Sequence, residues 1–348
     1  VSSEPLAAPD DTVSVVICAY NAAAYVHTML ASVAAQSRPA DEVVLVDDGS
    51  DDATPDIAES WADRLPIKVI RHPDNRGVGH ARRAAIEACS GTLVALLDAD
   101  DYWFPDHLEV LCRAYRLHGG VVTAANYRWV PGARVGDRAS TELVPVPPLD
   151  RQAEAILVCN FVFSGALFPR TLYEHVGGIR PDVPSEDWDL WIRMVRAGAR
   201  VSAAPTVTVL YRQHPTAVSS GESLTRGDVG LLAELAATVG GRERRAVVRA
   251  LRRQEAKVLM LDGYELIRAG SVGRARVVML RAVLTDRSLR RGPSHWGGSV
   301  TLRALACAVA PRRALAVREA RRTDAAVRVG TGRHRPWLGA RPRRKTSA

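Results

Sequence analysis

The residues Val94-Ala95-Leu96-Leu97 form an apolar run with no polar member, and three carboxylates, Asp98, Asp100 and Asp101, follow at once. A continuous run of this kind reads as a strand buried on both faces, as in a parallel sheet covered by helices. In such sheets ligands sit beyond the carboxyl ends of the strands, which is where these acids stand. Three carboxylates so close repel one another unless a cation or hydrogen-bond donors compensate. Hard divalent ions such as Mg2+ or Mn2+ take carboxylate oxygens and keep coordination places for phosphate. The segment therefore implies a metal held against a diphosphate. The plainer alternative is that Asp100 or Asp101 caps a helix beginning near Pro105.

The pattern recurs upstream. Residues 12–18, 42–46 and 67–70 are three more apolar strand candidates. They end at Ala19-Tyr20-Asn21, at Asp47-Asp48-Gly49-Ser50-Asp51-Asp52 and at His72-Pro73-Asp74-Asn75-Arg76-Gly77. Helical patterns over 22–35 and 78–88 lie between them. Strand and helix alternate with short connections, which predicts an α/β fold with a mostly parallel sheet and right-handed crossovers. Polar clusters at several strand ends are expected of a nucleotide site. No Gly-x-Gly-x-x-Gly follows the first strand, which argues against a dinucleotide oxidoreductase.

Six motifs in order carry a resemblance. They are Val15-Val16-Ile17-Cys18-Ala19-Tyr20-Asn21, Val46-Asp47-Asp48-Gly49-Ser50, Asn75-Arg76-Gly77 with Ala81-Arg82, and Leu97-Asp98-Ala99-Asp100-Asp101. Ser185-Glu186-Asp187-Trp188-Asp189-Leu190-Trp191 and Tyr211-Arg212-Gln213-His214 complete the set. Together, over about residues 12–220, they resemble the family 2 glycosyltransferases. The resemblance implies a GT-A fold, and transfer of a sugar with inversion from a nucleotide-diphosphate donor, a UDP-sugar above all. The acceptor it implies is a hydroxyl, on a polysaccharide or a lipid-linked glycan.

Such a displacement needs a neutralised leaving group, a base for the acceptor hydroxyl and in-line positioning. By resemblance, Asp187 is the base and Glu186 orients it or touches the acceptor. Asp100, Asp98 and His214 hold Mg2+ or Mn2+, with Asp98 also on the ribose. Ala19, Tyr20, Asp48, Arg82 and Arg212 bind the nucleotide sugar, and Ser164-Gly165-Ala166 lies toward the acceptor. Read without the resemblance, Glu186 and Asp187 are first-turn acids complementing a helix dipole. Trp188 and Trp191, three apart, are then core residues, though one of them is also a candidate to line an acceptor pocket. A sugar-phosphate nucleotidyltransferase uses similar parts, but Ala19-Tyr20-Asn21-Ala22-Ala23-Ala24 lacks its glycine-rich signature. A non-catalytic nucleotide-sugar-binding protein is the other alternative.

Charge divides the chain. Residues 1–222 hold 19 basic and 29 acidic side chains, and residues 223–348 hold 28 and 9. The net charges, −10 and +19, add to the +9 of the whole. We expect an N-terminal disordered stretch at 1–11, a catalytic domain at 12–222, a basic helical extension at 223–322 and a disordered basic tail at 323–348. Helical patterns cover 224–239, 243–269 and 272–284, with a further basic helix at 312–322. Three readings are open for this region: an anionic membrane surface near a lipid-linked acceptor, a nucleic acid, or a helical appendage packed on the catalytic domain. No aromatics interleave with the basic residues in an RNA-binding pattern. The five cysteines are scattered with no Cys-x-x-Cys, so neither a zinc site nor a disulfide framework is indicated. Residues 1–11 contain acids, two prolines and no basic residue, unlike a secretory signal. The expected location is cytoplasmic, peripheral on the inner face of the membrane.

Overall fold

The structure, a computed structural model, describes residues 11–129, 139–183, 185–214 and 222–286. The N-terminal stretch before Asp11, the basic helix expected at 312–322 and the tail at 323–348 lie outside the described residues.

The chain begins with alternating strands and helices: β1 (Val13–Ala19), α1 (Val26–Ala34), β2 (Glu42–Asp47), α2 (Thr54–Glu59), β3 (Ile67–Arg71), α3 (Val78–Glu87) and β4 (Leu93–Asp98). Then come β5 (Tyr102–Trp103), α4 (His107–His118), β6 (Val121–Trp129), α5 (Ser140–Leu143) and α6 (Leu149–Ala155). β7 (Leu167–Pro169), α7 (Arg170–His175), α8 (Glu186–Arg196) and β8 (Val201–Arg212) complete the sheet region. Three helices follow: α9 (Glu222–Thr238), α10 (Gly241–Arg268) and α11 (Val272–Thr285).

One eight-stranded sheet runs in the order β3-β2-β1-β4-β7-β6-β8-β5. β3, β2, β1 and β4 are all parallel, as the apolar runs predict. β7 pairs antiparallel with both β4 and β6, and β5 antiparallel with β8. The sheet is therefore mixed. Its antiparallel part falls in the strands that sequence periodicity did not mark.

The strands obey the two-residue period of a pleated sheet. Val15, Ile17, Val43, Leu45, Ala95 and Leu97 face one side and pack with α1 and α4. Val16, Val44, Val46, Val94 and Leu96 face the other and pack with α3 and α8. Leu231, Leu232 and Ala236 of α9 and Val247 and Ala250 of α10 share that second core. A third, smaller core lies between the end of α10 and α11, around Met260, Tyr264, Ala275 and Met279.

The parallel register aligns the carboxyl ends of β1, β2 and β4: Ala19 lies opposite Asp47, and Cys18 opposite Asp98. The loops after those ends are fastened together. Asn21 accepts from the Asp51 N–H and donates its own N–H to Ser50 Oγ, both at 2.9 Å. Gly49 has φ +74°, and a Cβ built there would stand 2.6 Å from the Asp74 carbonyl carbon, so the β2 and β3 loops touch through backbone alone. Gly49→Ala should cost about 1–3 kcal/mol in thermal or urea unfolding, from the left-handed φ and the backbone collision together. Unchanged stability would mean that the two loops separate without loss.

Candidate active site

The site grows from the ends of β1, β2 and β4. Asp48, just after β2, is buried with both oxygens engaged. Oδ1 is 2.8 Å from His72 Nδ1, and Oδ2 accepts the Arg76 and Gly77 N–H groups at 3.1 and 2.7 Å. Asp48 thus sets the loop that starts α3 and complements that helix's N-terminus. Its own N–H donates to the Ala19 carbonyl at 2.8 Å. Beside it Tyr20 is half exposed. His72 carries no local sequence signal beyond its place after a strand.

Four residues along α3 from its first residue, Val78, stands Arg82, and its guanidinium is nearly out of solvent. It pairs with Glu186 and lies 3.3 Å from Asp98 Oδ1. One cation thereby joins the end of β4 to the first residue of α8. Arg83, its neighbour, points outward to Glu87, as a solvent-facing residue should. Cys18, buried against the same group, has its thiol pushed up to about 12 by burial, which outweighs the lowering effect of Arg82.

Asp187 follows Glu186 in the first turn of α8, and its Oδ1 accepts from the Trp188 N–H at 2.6 Å. Burial, and next the neighbouring Glu186, push its carboxyl up to about 7, against the pull of Arg82. Both acids sit in the first turn of α8, where the dipole reading expects them. Trp188 and Trp191 are core: the Trp188 indole N–H donates to the Ile156 carbonyl at 2.7 Å, and Trp191 packs edge-on against Phe168.

The carboxylates after β4 divide their work. Asp98 Oδ2 lies 2.9 Å from Ser164 Oγ, and Asp101 Oδ2 lies 3.0 Å from the same oxygen. Burial, and then Asp98 and Asp100, drive the Asp101 carboxyl well above the usual carboxylate range. Its other oxygen accepts the Arg212 N–H at 3.0 Å. Asp100 Oδ2 lies 2.8 Å from His214 Nε2. Neither Asp100 nor Asp101 caps a helix: α4 starts at His107 with Asp106 at its cap position, which corrects the plainer reading of the acids.

Arg212 sits with its guanidinium 5.0 Å from the Tyr25 ring and 4.3 Å from the Trp129 ring, and its Nε donates to the Asp100 carbonyl at 2.6 Å. Burial lowers its pKa from the ordinary arginine value. His214 packs on the other ring contact of Tyr25, centroids 4.8 Å apart. Tyr25 and Trp129 are site residues that the motifs did not single out.

A metal can be tested against this donor set. Among the described residues no three His, Cys, Asp or Glu converge as a closed cage. The Asp100–His214 pair at the rim is a carboxylate and an imidazole within one hydrogen bond of each other. Burial, and next Asp98, raise the pKa of Asp100, against the hydrogen bond from His214. Mg2+ and Mn2+ are commonly bound by one or two protein groups, with substrate phosphates and water completing the shell, so the pair fits such an ion. Asp98 is turned to Arg82 and Ser164.

A family model described as glycosyl transferase family 2 matches residues 14–177. The Escherichia coli protein UDP-Glc:alpha-D-GlcNAc-diphosphoundecaprenol beta-1,3-glucosyltransferase WfaP is 26% identical over 212 residues, 61% of this chain and 81% of that one. Staphylococcus aureus TarS 1–349, solved with UDP-GlcNAc, superposes with a TM-score of 0.57 at 19% identity, over 90% of this chain and 92% of that one. The Pyrobaculum calidifontis mannosyltransferase PcManGT, solved with GDP-Man and Mn2+, gives 0.54 at 22% identity, over 94% and 90%. This chain spans between 29% and 81% of the length of curated relatives that it matches. The fold is the GT-A arrangement that the motifs imply, with helices added at the C-terminal end.

The raised carboxyl of Asp187 makes stability depend on pH. Its usual pKa is 3.8 and its folded value about 7, so between them the folded chain holds a proton that the unfolded chain releases. The contribution of this group to stability therefore falls as pH rises through that window. Asp187→Asn should lose that part of the slope and be more stable than the wild type at pH 8 by urea unfolding. Parallel stability–pH curves for the two proteins would show that Asp187 is not held protonated.

Proposed function

Because the chain carries a glycosyl transferase family 2 domain over residues 14–177, we propose that it moves a sugar from a UDP-sugar to a hydroxyl on a glycan or lipid-linked acceptor, with inversion. The observation that carries this reading is the continuous set of contacts from Asp48 through the start of α3 to Arg82, Glu186 and Asp98, and on through Ser164 to Asp101 and Arg212. A nucleotide site and an acid–base pair share one edge of the sheet. Printed names of relatives support the substrate class: WfaP uses UDP-Glc and a diphosphoundecaprenol-linked sugar, and TarS holds UDP-GlcNAc.

In this reading Ala19, Tyr20 and Asp48 form the nucleoside wall, and Arg82 fixes Asp98 on the ribose side. Asp187 takes the proton of the acceptor hydroxyl as that oxygen bonds to the anomeric carbon. The bond from that carbon to the diphosphate oxygen breaks, and its electron pair leaves with UDP. A base whose pKa is about 7 is well matched to neutral pH. Glu186, held by Arg82, keeps the head of α8 in place and borders the acceptor. A divalent ion, Mg2+ or Mn2+, held by Asp100 and His214 with Asp98 nearby, would supply neutralisation of the leaving diphosphate. Arg212 would add fixed positive charge beside it.

A thermal-shift series with UDP-glucose, UDP-GlcNAc and GDP-mannose, with and without Mn2+, tests the donor. A UDP-sugar should raise the melting temperature, more with Mn2+ than without, because a ligand that binds only the folded state stabilises it. Asp187→Asn should then lower turnover by about 100-fold or more with donor affinity little changed. NMR of the product should show the anomer inverted relative to the donor. A retained anomer would remove Asp187 as base.

The acceptor side extends to the membrane in the same reading. On α11, Val277, Leu280 and Leu284 are exposed at spacings of three and four. At 100° per residue they share one stripe, with Arg274 and Arg281 on one flank and Arg276 on the other, and α11 contains no acid. An apolar stripe between arginines matches an anionic bilayer surface, where basic residues contribute about 1 kcal/mol each. Among the described residues no helix is long and apolar enough to cross a membrane. The protein should sediment with phosphatidylglycerol vesicles, less with phosphatidylcholine, and less in high salt. Replacing Val277, Leu280 and Leu284 together by Ser should abolish the binding. Binding that survives would assign it elsewhere, and a change in oligomeric state would make the stripe a contact between copies.

A further inference from the structure

Ser185 stands immediately before the acid pair, at the cap position of α8, with φ 56° and ψ 51°. Among the described residues it and Asn21 are the two non-glycine residues with positive φ. Asn tolerates that region, whereas Ser has no intrinsic reason to occupy it. Something must hold Ser185 there. Its Oγ donates to Asp228 Oδ1 at 2.9 Å, and Asp228 Oδ2 accepts from Gln254 Nε2 at 3.1 Å. Asp228 lies on α9 and Gln254 on α10, both beyond the stretch that the family model matches.

The anchor is well placed to act as one. Burial pushes the Asp228 carboxyl up to about 6, partly offset by the Ser185 hydrogen bond. A second link runs parallel: Arg180, which grips Asp189 of α8, also reaches Glu234 of α9 at 2.9 Å. Leu231 and Leu232 of α9 pack in one core with Trp188 and Leu190. The C-terminal helices thus meet the chain on both sides of Glu186 and Asp187.

We propose that Asp228 is a positioning residue, which holds Ser185 in the left-handed conformation and thereby sets the direction in which the head of α8 presents Glu186 and Asp187. The proposal rests on the reading of those two acids as the catalytic pair. It makes α9 and α10 part of the catalytic apparatus, acting through backbone geometry without touching substrate.

The test pairs amide hydrogen exchange with turnover of UDP-glucose, in the full chain. Asp228→Ala should speed exchange over residues 186–190 by roughly tenfold while β1 and β4 stay protected. It should lower kcat roughly tenfold with KM within about twofold, since the loss falls on the positioned base and not on donor binding. Asp228→Asn should restore both, because an amide oxygen still accepts from Ser185 and Gln254 can turn its own amide to match. The decisive comparison uses Ser185→Gly, which adopts positive φ without a latch. In that background Asp228→Ala should lower kcat no further. Additive losses, or a fall in KM and kcat together with general loss of protection, would overturn the proposal and leave Asp228 an ordinary packing residue. If the wild type turns over no nucleotide sugar, the functional reading fails, and the exchange data alone still decide whether Asp228 holds the head of α8.

Discussion

Arg82 brings a permanent positive charge into a place almost without solvent, and the arrangement around it follows from that. A buried guanidinium must be paired, and taking away one partner of such a pair is strongly destabilising because the other charge stays behind. Here the partners come from two elements that the chain reaches far apart, Asp98 at the end of β4 and Glu186 at the start of α8. The cation therefore fixes where α8 begins relative to the sheet. It also divides the acids. Asp98 and Glu186 pair with it directly, whereas Asp187, one residue on, has its carboxyl raised to about 7 by burial first and then by Glu186, against the pull of Arg82.

The parallel half of the sheet was legible because its strands are buried on both faces and so appear as unbroken apolar runs. The other half was not. β5 has two residues and β7 three, too few for any period to emerge, and β8 contains Pro205 and pairs with β6 through two register shifts. Within the site, motif order brought forward Arg82, Asp98, Asp100, Glu186, Asp187, Arg212 and His214, but not who pairs with whom. Arg82 and Glu186 are 104 positions apart, and Asp100 and His214 are 114 apart. Asp101 looked like a third charge of the acidic cluster. Complete burial against Ser164 drives its carboxyl well above the usual range, and burial is not a property of the local sequence. Tyr25, Trp129 and Asp228 had no signal at all, and His72 only its place in the cluster after β3, since each gains its meaning from a partner brought up by the fold.

The charge boundary near residue 222 and the packing boundary do not coincide. α9 and the first half of α10 belong to the same core as Val16, Val94 and Trp188, held further by Arg180–Glu234 and Arg196–Glu243. A separate core starts only around Ala256 and includes α11. The change in composition marks where the exposed surface turns basic, while the interior continues. Of the three readings of this region, packing on the catalytic body therefore accounts for α9 and the start of α10. It leaves the exposed apolar stripe and flanking arginines of α11 to be explained separately, which is why a surface partner is sought there and not along the whole positive half of the chain.

The electrostatic state of the site bears on how a donor would enter it. Asp98, Asp100, Asp101, Glu186 and Asp187 stand around Arg82, Arg212 and His214. Burial first, and the negative charge of neighbouring acids after it, raise the carboxyls of Asp100, Asp101 and Asp187, and the acids outnumber the cations. A diphosphate would add to that excess. Arg82 is already engaged by Asp98 and Glu186, whereas Arg212 bonds the neutral Asp100 carbonyl between two aromatic rings and keeps its positive charge beside the acids. Under the proposed reading the missing charge arrives with the substrate: a divalent ion against Asp100 and His214 lowers the cost of the anion, and the anion completes the shell of the ion. Each then binds poorly alone and well with the other, a coupling that free-energy linkage requires to be mutual. That coupling accounts for an acidic cluster at the mouth of a site meant for an anion, an arrangement that would otherwise repel its own substrate.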